Sequence, residues 1–492
     1  MQLADLIEDI EVVQCSGPAD VEISGLAYDS GQAGPGSLFF CVPGQTRDGH
    51  DFGPAAVEAG AAALVVERPL GLAATEVQVA DARAAMAPLA ARFWGDPTAE
   101  LAVAGITGTN GKTTTAFLLR EILEAAGRQC GLLGTVKQVV GGSEEEVVRT
   151  TPEAIDLQGT FRRMLESGDR ACVMEVSSHA LFLHRADAIH FDVAVFTNLS
   201  QDHLDFHSDM EDYFAAKRLL FEAGPGAAVV NADDAYGARL AGEFECLTFS
   251  SAGTEADFRA RDVELTAAGA SFVLAGPDGS AQVRTRLPGA FNVSNSLAAL
   301  AAAHALGVDA GTAAEALSAA AGVPGRFEPI EEGQPFSVLV DYAHTPEALE
   351  NVLRAARPLT EGRLICVFGA GGDRDRDKRP RMGAIAAELS DLAIVTSDNP
   401  RSEDPDAIIA EIVAGIPDTR HARTRSGGRA GEVLVQVDRT AAIELAVREA
   451  GEGDTVMIAG KGHEQGQEFE GGRKIPFDDR EVAREELLAM KV

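Results

Sequence analysis

The sequence predicts an α/β fold in three domains: a small mixed domain, a central parallel-sheet domain opened by a P-loop, and a C-terminal Rossmann-like doubly wound domain. Three observations carry this prediction. At 492 residues, with 46% hydrophobic and 24% charged side chains, the chain is long enough for several cores rather than one. Apolar runs ending in small or polar residues alternate with helical stretches, as buried parallel strands joined by helical crossovers do. One such run, "LAVAGI", passes into the glycine-rich "TGTNGKTTT", a turn that opens a helix.

Up to about Pro97, "EISGLAYDS", "SLFFCV" and "AAALVVE" alternate with Gly-containing turns and an Ala-rich helical stretch, which gives a mixed first domain, residues 1–97. From Leu101 the rhythm changes. The run "LAVAGI" is followed by "KTTTAFLLREILEAAG", whose helical spacing stops at Gly127, so strand, loop and helix follow one another. The runs "ACVMEV", "FDVAVFTNL" and "AAVVN" continue the parallel sheet, and "SFVLAGPDGSAQVRTRL" forms a hairpin-like insert within Leu247 to Leu287. Leu287 to Val308 lacks Asp, Glu, Lys and Arg but contains Pro288, Asn292, Asn295 and His304; it reads as a loop entering a packed Ala-rich helix, not a membrane span. Near "GVPGRFE" a boundary closes the central domain, 98–324. In the last, 325–492, "FSVLVDYA", "RLICVFGAGG", "LAIVTSDNP" and "DTVMIAGKG" again end in polar clusters, and ligands of such sheets sit beyond the carboxyl ends of the strands.

Charge narrows the function. Lys and Arg number 42 against 76 Asp and Glu, a net charge of -34, which argues against nucleic-acid and anionic-membrane surfaces. An anionic substrate must then be gripped locally, by loops, helix starts and metal ions. The six cysteines are dispersed without a CxxC pair, which suits reduced thiols in a cytosol. The start "MQLADLIEDI" is acidic and has no signal-peptide pattern.

The P-loop departs from the usual spacing. Its first glycine stands at Gly105, where the pattern asks for the place of Ile106, and Gly108 lies inside the loop. The physics survives: Gly108 and Gly111 let backbone N–H groups face a polyphosphate, Lys112 adds a point charge, and Thr113 offers a hydroxyl to magnesium at a helix start. The bland alternative is a Gly-rich strand-to-helix turn. Downstream, "MEVSSHAL" places Glu175 at a strand end beside Ser177, Ser178 and His179, and "TNLSQDHLDFH" offers Asp202, His203, Asp205 and His207. Oxygen ligands suit magnesium; zinc is disfavoured without a Cys pair or HExxH spacing.

In order, "GTNGKTTT", "TTPE", "MEVSSHAL", "TNLSQDHLDFH", "YFAAKRLLF", "GAFNVSNSLAA", "GRFE", "VDYAHTPEAL", "GAGGDRDRDKRPRMG", "SDNPR" and "AGKGHE" resemble the Mur ligases of peptidoglycan synthesis over nearly the whole chain. The resemblance implies amide formation through an acyl phosphate made with ATP, and is strongest to the member that extends UDP-N-acetylmuramoyl-L-alanyl-D-glutamate by a third amino acid. It implies that Gly108, Thr109, Asn110, Gly111, Lys112, Thr113 and Thr114 hold the triphosphate, with Asn292, Asn295, Arg326 and His344 around the nucleotide and Asp341 in the active site. Thr113 and Glu175 would ligate one Mg2+ and His203 a second, and Lys217 would be carboxylated by CO2 to an anionic metal ligand. The plain alternative for Lys217 is a helix-surface lysine.

For the UDP-sugar the resemblance implies Tyr28, Ser30, Gln45, Thr46 and Arg47, although "DSG" puts Gly31 where the family commonly has arginine. Thr150, Thr151, Ser177 and Arg185 would hold the muramoyl dipeptide, with Leu183 replacing a usual polar residue; "TTPE" also reads as a helix N-cap with Pro at N1. For the incoming amino acid the resemblance implies Arg374, Asp398, Asn399, Pro400, Arg401, Gly460 and Glu464. A guanidinium at Arg401 favours a distal carboxylate, hence meso-diaminopimelate over L-lysine, whereas an Asn-Pro turn with a solvated arginine is the bland reading. A folylpolyglutamate-synthetase-like ligase and a nucleotide switch are the alternatives. A monomer is expected.

Overall fold

The computed structural model describes all residues except 45, 46, 146, 148, 205, 267, 417–431 and 491–492. They form two compact units, Met1–Ser250 with Thr254–Phe258 and Ala298–Ala313, and Ser251–Gly253 with Arg259–Leu297 and Ala314–Val492.

In the first unit, Gly25–Ala27, Ser37–Phe40, Ala63–Val66 and Thr75–Gln78 pair in parallel, and Gln14–Ser16 closes the edge antiparallel. Side chains alternate between two cores, as the two-residue period of a strand requires. Leu38, Phe40, Ala63 and Val65 pack toward the Ala82–Phe93 helix, while Phe39, Leu64 and Val66 pack with Ala56 of the Gly53–Glu58 helix.

The larger sheet of this unit runs in the order Leu247–Ser250, Ala227–Asn231, Val193–Phe196, Ala102–Thr107, Ala171–Glu175, Cys130–Leu133, Gln138–Val140, Ser143–Glu145. The first six are parallel. The earliest strand of this sheet, Ala102–Thr107, therefore lies between two later ones, and its carboxyl end is a topological switch point where such sheets bind ligands. Its crossover helix, Lys112–Ala125, starts after Gly111 and ends before Gly127, both at positive φ, as the sequence predicts. The "TTPE" capping expectation is corrected: the helix is Ala154–Glu166, Glu153 holds the cap position without a side-chain cap bond, and Pro152 precedes it. The Glu153 carboxylate is drawn instead to Arg83, Arg149 and Arg185 at 3.0, 2.7 and 2.9 Å.

In the second unit, Ser337–Asp341, Thr455–Ala459, Leu364–Phe368, Leu392–Val395 and Glu432–Val435 are parallel neighbours, with Glu328–Pro329 antiparallel at the edge. Leu339, Cys366, Val395 and Met457 face one helical layer, Val340, Val367, Ile394 and Ile458 the other, the doubly wound arrangement. The "hairpin-like insert" is a three-stranded meander: Gly269–Gly276 pairs with Phe258–Thr266 on one side and, across the Pro277–Asp278 turn, with Gly279–Thr285 on the other.

Candidate active site

Gly108 has φ +145, and a Cβ there would lie 1.9 Å from Thr197 Oγ1, so only glycine fits. The loop is braced by the segment after the Val193–Phe196 strand: Thr109 N donates to Asn198 O (2.9 Å), Asn110 N to Asn198 Oδ1 (3.0 Å), and Thr197 Oγ1 to Asn110 O (2.6 Å). Lys112 folds back over it, Nζ donating to Gly108 O (2.8 Å) and Thr109 O (2.7 Å). The first N–H groups of a 14-residue helix thus open onto a rigid loop carrying a cation, an anion site by construction. Thr114 is buried beside Thr113.

Glu175 ends the neighbouring strand and is 1% exposed. It accepts from Thr113 Oγ1 (3.0 Å), Thr135 N (2.8 Å) and Thr135 Oγ1 (3.1 Å). Thr135 escaped the sequence reading; its only signal is the Gly-Thr step after a buried strand. It also meets Thr150 hydroxyl to hydroxyl at 3.1 Å, while Thr151 Oγ1 donates to Glu175 O (2.9 Å) and accepts from Ser177 N (3.2 Å). The Arg185 guanidinium reaches Thr151 O (3.4 Å). Of the four residues expected at the dipeptide, Thr150 is joined through Thr135 to the Glu175 carboxylate, and Thr151, Ser177 and Arg185 are joined to the Glu175 backbone oxygen through Thr151. Among the described residues, no group of three His, Cys, Asp or Glu side chains is arranged to hold a metal ion. A buried hydroxyl and carboxylate are hard oxygen donors, a set that fits magnesium, which keeps waters and takes few protein ligands.

Lys217 is not a surface lysine. It is 1% exposed on the Met210–Glu222 helix, donates to Gly108 O at 2.9 Å, and sits 4.6 Å over the Tyr213 ring. Burial, with the Lys112 charge adding to it, holds its ammonium well below the ordinary lysine range, so the amine is driven toward its neutral, nucleophilic form. Tyr213, one helical turn before Lys217, reaches Thr109 Oγ1 at 3.3 Å and was legible only as an i, i+4 neighbour. His203 is elsewhere in this neighbourhood, at φ +54, with its ring 4.8 Å from that of His179 and 5.9 Å from that of Tyr213.

The described UDP-side candidates lie in the first unit. Tyr28 donates to Asp156 Oδ2 at 2.7 Å; Ser30 is half-buried in the turn after Gly25–Ala27, and Arg47 is exposed. Gln45 and Thr46 lie outside the described residues.

In the second unit Asp341 ends a strand and accepts from Phe327 N at 2.7 Å; burial pushes its carboxyl up to about 6 against the opposing Arg326 charge. Arg326 lies 4.9 Å over the Tyr342 ring. His344 Nδ1 donates to Tyr342 O at 2.8 Å, and burial lowers its pKa. Asn292 and Asn295 are buried and turned inward, Asn295 Nδ2 donating to Asn292 Oδ1 and Asn292 Nδ2 to Pro288 O.

The amino-acid candidates gather at the carboxyl ends of this sheet. Arg401, at φ +51, is not solvated: Nε donates to Glu468 Oε2 (2.9 Å) and Nη1 to Gly372 O (2.8 Å). Gly372 packs so closely on Pro400 O that a Cβ would lie 1.9 Å away. Arg374 is exposed, and a Cβ on Gly371 would touch both Arg401 Nη1 and Arg374 Cγ. Asn399 Nδ2 donates to Glu464 Oε2 at 2.8 Å; at Gly460, φ +127, a Cβ would lie 2.8 Å from Asp398 Oδ2. Sequence reasoning missed Lys461 in the same "GKGHE" run, and Glu468 and Arg379, which hold Arg401 and the 371–374 loop.

Comparison with known proteins places this geometry. Family models match residues 22–94 (Mur ligase family, catalytic domain), 106–303 (Mur ligase middle domain) and 325–462 (Mur ligase, glutamate ligase domain). The chain is 46% identical to the UDP-N-acetylmuramoyl-L-alanyl-D-glutamate--2,6-diaminopimelate ligase of Syntrophomonas wolfei, with 100% of each covered, and 48% identical to that of Streptomyces coelicolor, covering 99% of this chain and 96% of the relative. A solved structure of a ligase so named superposes with TM-score 0.73 at 32% identity, covering 100% of this chain and 99% of that one. A Mycobacterium tuberculosis folylpolyglutamate synthase, at 17% identity and TM-score 0.60 over 77% of this chain and 92% of that one, shares the fold. With relatives approaching half identity from end to end, this chain belongs to the Mur ligase family.

Proposed function

We propose that this chain is an ATP-dependent ligase that joins meso-diaminopimelate to the D-glutamate carboxylate of UDP-N-acetylmuramoyl-L-alanyl-D-glutamate in peptidoglycan biosynthesis. The full-length likeness to ligases of that name is the observation that carries the reading. The loop from Gly108 to Thr114 holds the triphosphate. A carboxylate oxygen of the D-glutamate bonds to the terminal phosphorus as the bond to ADP breaks; the amine then attacks the acyl carbon, phosphate leaves, and the amine proton passes to solvent. Lys112 and the helix N-terminus stabilise charge on the transferred group. Thr113 and Glu175 would hold one Mg2+ and His203 a second, with a carboxylated Lys217 as a further metal ligand, and the ions would supply charge neutralisation at the phosphates.

The buried Lys217 supports carboxylation, because only a neutral amine adds CO2, losing a proton to leave an anionic carbamate. Asn292, Asn295, Arg326 and His344 frame the nucleotide, and Asp341 serves the active site. Tyr28, Ser30, Gln45, Thr46 and Arg47 take the uridine end, and Thr150, Thr151, Ser177 and Arg185 the dipeptide. Arg374, Asp398, Asn399, Pro400, Arg401, Gly460 and Glu464 take the amino acid: Arg401 keeps donors beyond those bound to Glu468 and Gly372, and a distal carboxylate suits them. We also read the chain as three domains, 1–97, 98–324 and 325–492, acting as a cytosolic monomer; no helix among the described residues is long and apolar enough to cross a membrane.

ADP release tests the reading. The rate should stay near background until the UDP-muramoyl dipeptide and meso-diaminopimelate are both present, with L-lysine and L-ornithine poor substitutes, and hydroxylamine should trap a hydroxamate. ADP release with folate and glutamate, or without any acceptor, would overturn it.

A further inference from the structure

Lys461 is fully buried at the carboxyl end of the Thr455–Ala459 strand. Its Nζ donates to Asn399 Oδ1 (2.9 Å) and Glu464 Oε2 (2.9 Å) and lies 3.6 Å from Asp398 Oδ1. Gly460 makes this approach possible, since a side chain there would collide with Asp398. The ring of contacts continues through Glu468 N, which donates to Asn399 Oδ1, and through the Glu468 carboxylate, which accepts from Arg401.

Two cations, Arg401 and Lys461, therefore gather with three carboxylates, Asp398, Glu464 and Glu468, and the exposed Arg374 lies across Gly371 from Arg401. Arg439, behind Asp398, is matched by Asp479 through two 2.7 Å bonds and adds no net charge. With Arg374 counted, these positive and negative charges balance, and Lys461 is the fully buried cation among them. The distal end of meso-diaminopimelate, one ammonium and one carboxylate, is likewise neutral, whereas that of lysine carries a full positive charge. Beside the buried Lys461 and Asp398, a mismatch of one charge is costly.

Resting on the ligase reading above, we infer that Lys461 is a specificity-determining residue: its resident ammonium occupies one share of the pocket's negative charge, leaving room for a distal zwitterion and excluding a bare ammonium. It acts through Glu464 and Asn399, as a positioning residue, and discriminates by charge as well as by fit.

The readout is the ratio of kcat/KM for meso-diaminopimelate to that for L-lysine, with KM for ATP as a control. Lys461→Met leaves the pocket one charge negative, and the ratio should fall by about tenfold or more. Glu464→Gln leaves it one charge positive, and the ratio should rise, because both substrates lose the same ammonium acceptor but only lysine meets the excess charge. The double variant is neutral again and should return to within about threefold of the wild type. A ratio that moves the same way in both single variants, or not at all, overturns the inference, as does a parallel fall for both amino acids with a rising KM for ATP. Should Lys461→Met fail to fold, the Glu464→Gln sign alone decides. Wild type that does not turn over diaminopimelate sinks the ligase reading and this inference with it; wild-type turnover with an unmoved ratio sinks the inference alone.

Discussion

Lys217 was marked in the sequence by resemblance alone, and its surroundings supply the physical reason for that reading. Tyr213, Phe214, Leu220 and Phe221 put Lys217 on the apolar face of its helix, yet a lysine stem can also run along a surface; only the fold brings its amine to the carbonyl of Gly108, where Lys112 also donates. Two ammonium groups on one oxygen in a buried site repel, and this adds to desolvation in lowering the Lys217 value. The sign follows: between the lowered folded value and the ordinary unfolded one the folded state binds fewer protons, so this group favours folding more as pH rises and less as it falls. Protons and CO2 compete for the same lone pair. With labelled bicarbonate, a carbamate carbon resonance should appear in wild type, weaken as pH is lowered, and be missing in Lys217→Ala, which should lose at least about a hundredfold in rate. A wild-type spectrum without that resonance would refute carboxylation. Gly108, by contrast, was legible, because a P-loop needs a backbone that approaches phosphate. Gly108→Ala should cost about 1–3 kcal/mol in backbone strain, plus the clash with Thr197 Oγ1, and a thermal melt with an ADP titration should show lower stability and weaker binding together.

Elements carry the proposed amino-acid pocket through a latch centred on one buried arginine. Arg379, fully buried near the start of the Lys378–Leu389 helix, donates to both oxygens of Glu403 (2.7 and 2.9 Å), to Glu411 (2.7 Å) and to Gly371 O (3.1 Å). Glu403 also accepts from Asp373 N, and Ser402 donates to Asp373. The loop bearing Arg374 and the loop bearing Arg401 are thereby tied to one guanidinium. The sequence offered "DRDRDKRPRMG" as a polar run, and nothing in spacing tells which of its arginines turns inward. The Arg379 bonds hold Glu403 down at about 2, from 4.5. A depressed carboxyl stabilises fully above its unfolded value and loses that contribution as pH falls through the folded one. Arg379→Met should therefore lower the melting temperature and raise KM for diaminopimelate about tenfold while leaving KM for ATP unchanged, and the difference in melting temperature from wild type should shrink between pH 4.5 and about 2. A gap that stays constant through that window would place the stabilisation elsewhere.

At the scale of the whole molecule, the sequence made legible what depends on period and order. Alternating buried runs foretold both parallel sheets, and strand ends carrying Gly108, Glu175, Asp341 and Asn399 marked where polar groups collect, because open α/β sheets expose the carboxyl ends of their strands. What depends on tertiary closure was not legible: the contact of Lys217 with Gly108 O, the burial of Lys461 and the redirection of Glu153 from a cap to three arginines. Net charge belongs to this scale too. At -34 the molecule repels a nucleotide-sugar and ATP over distances beyond a few residues, while the P-loop attracts phosphate only at contact. Salt screens the first interaction far more than the second, the screening length shrinking from about 30 Å at 0.01 M to about 8 Å at 0.15 M. Encounter with anionic substrates should therefore quicken as salt rises over that range, so kcat/KM for the UDP-muramoyl dipeptide increases by about twofold or more, whereas kcat at saturation holds steady. Initial-rate measurements across a sodium chloride series, repeated with the amino acid as the varied substrate, distinguish this from a general salt effect: diaminopimelate, overall neutral, should show little change. A kcat/KM for the dipeptide that falls with salt instead would mean that a local positive surface outweighs the field of the whole chain.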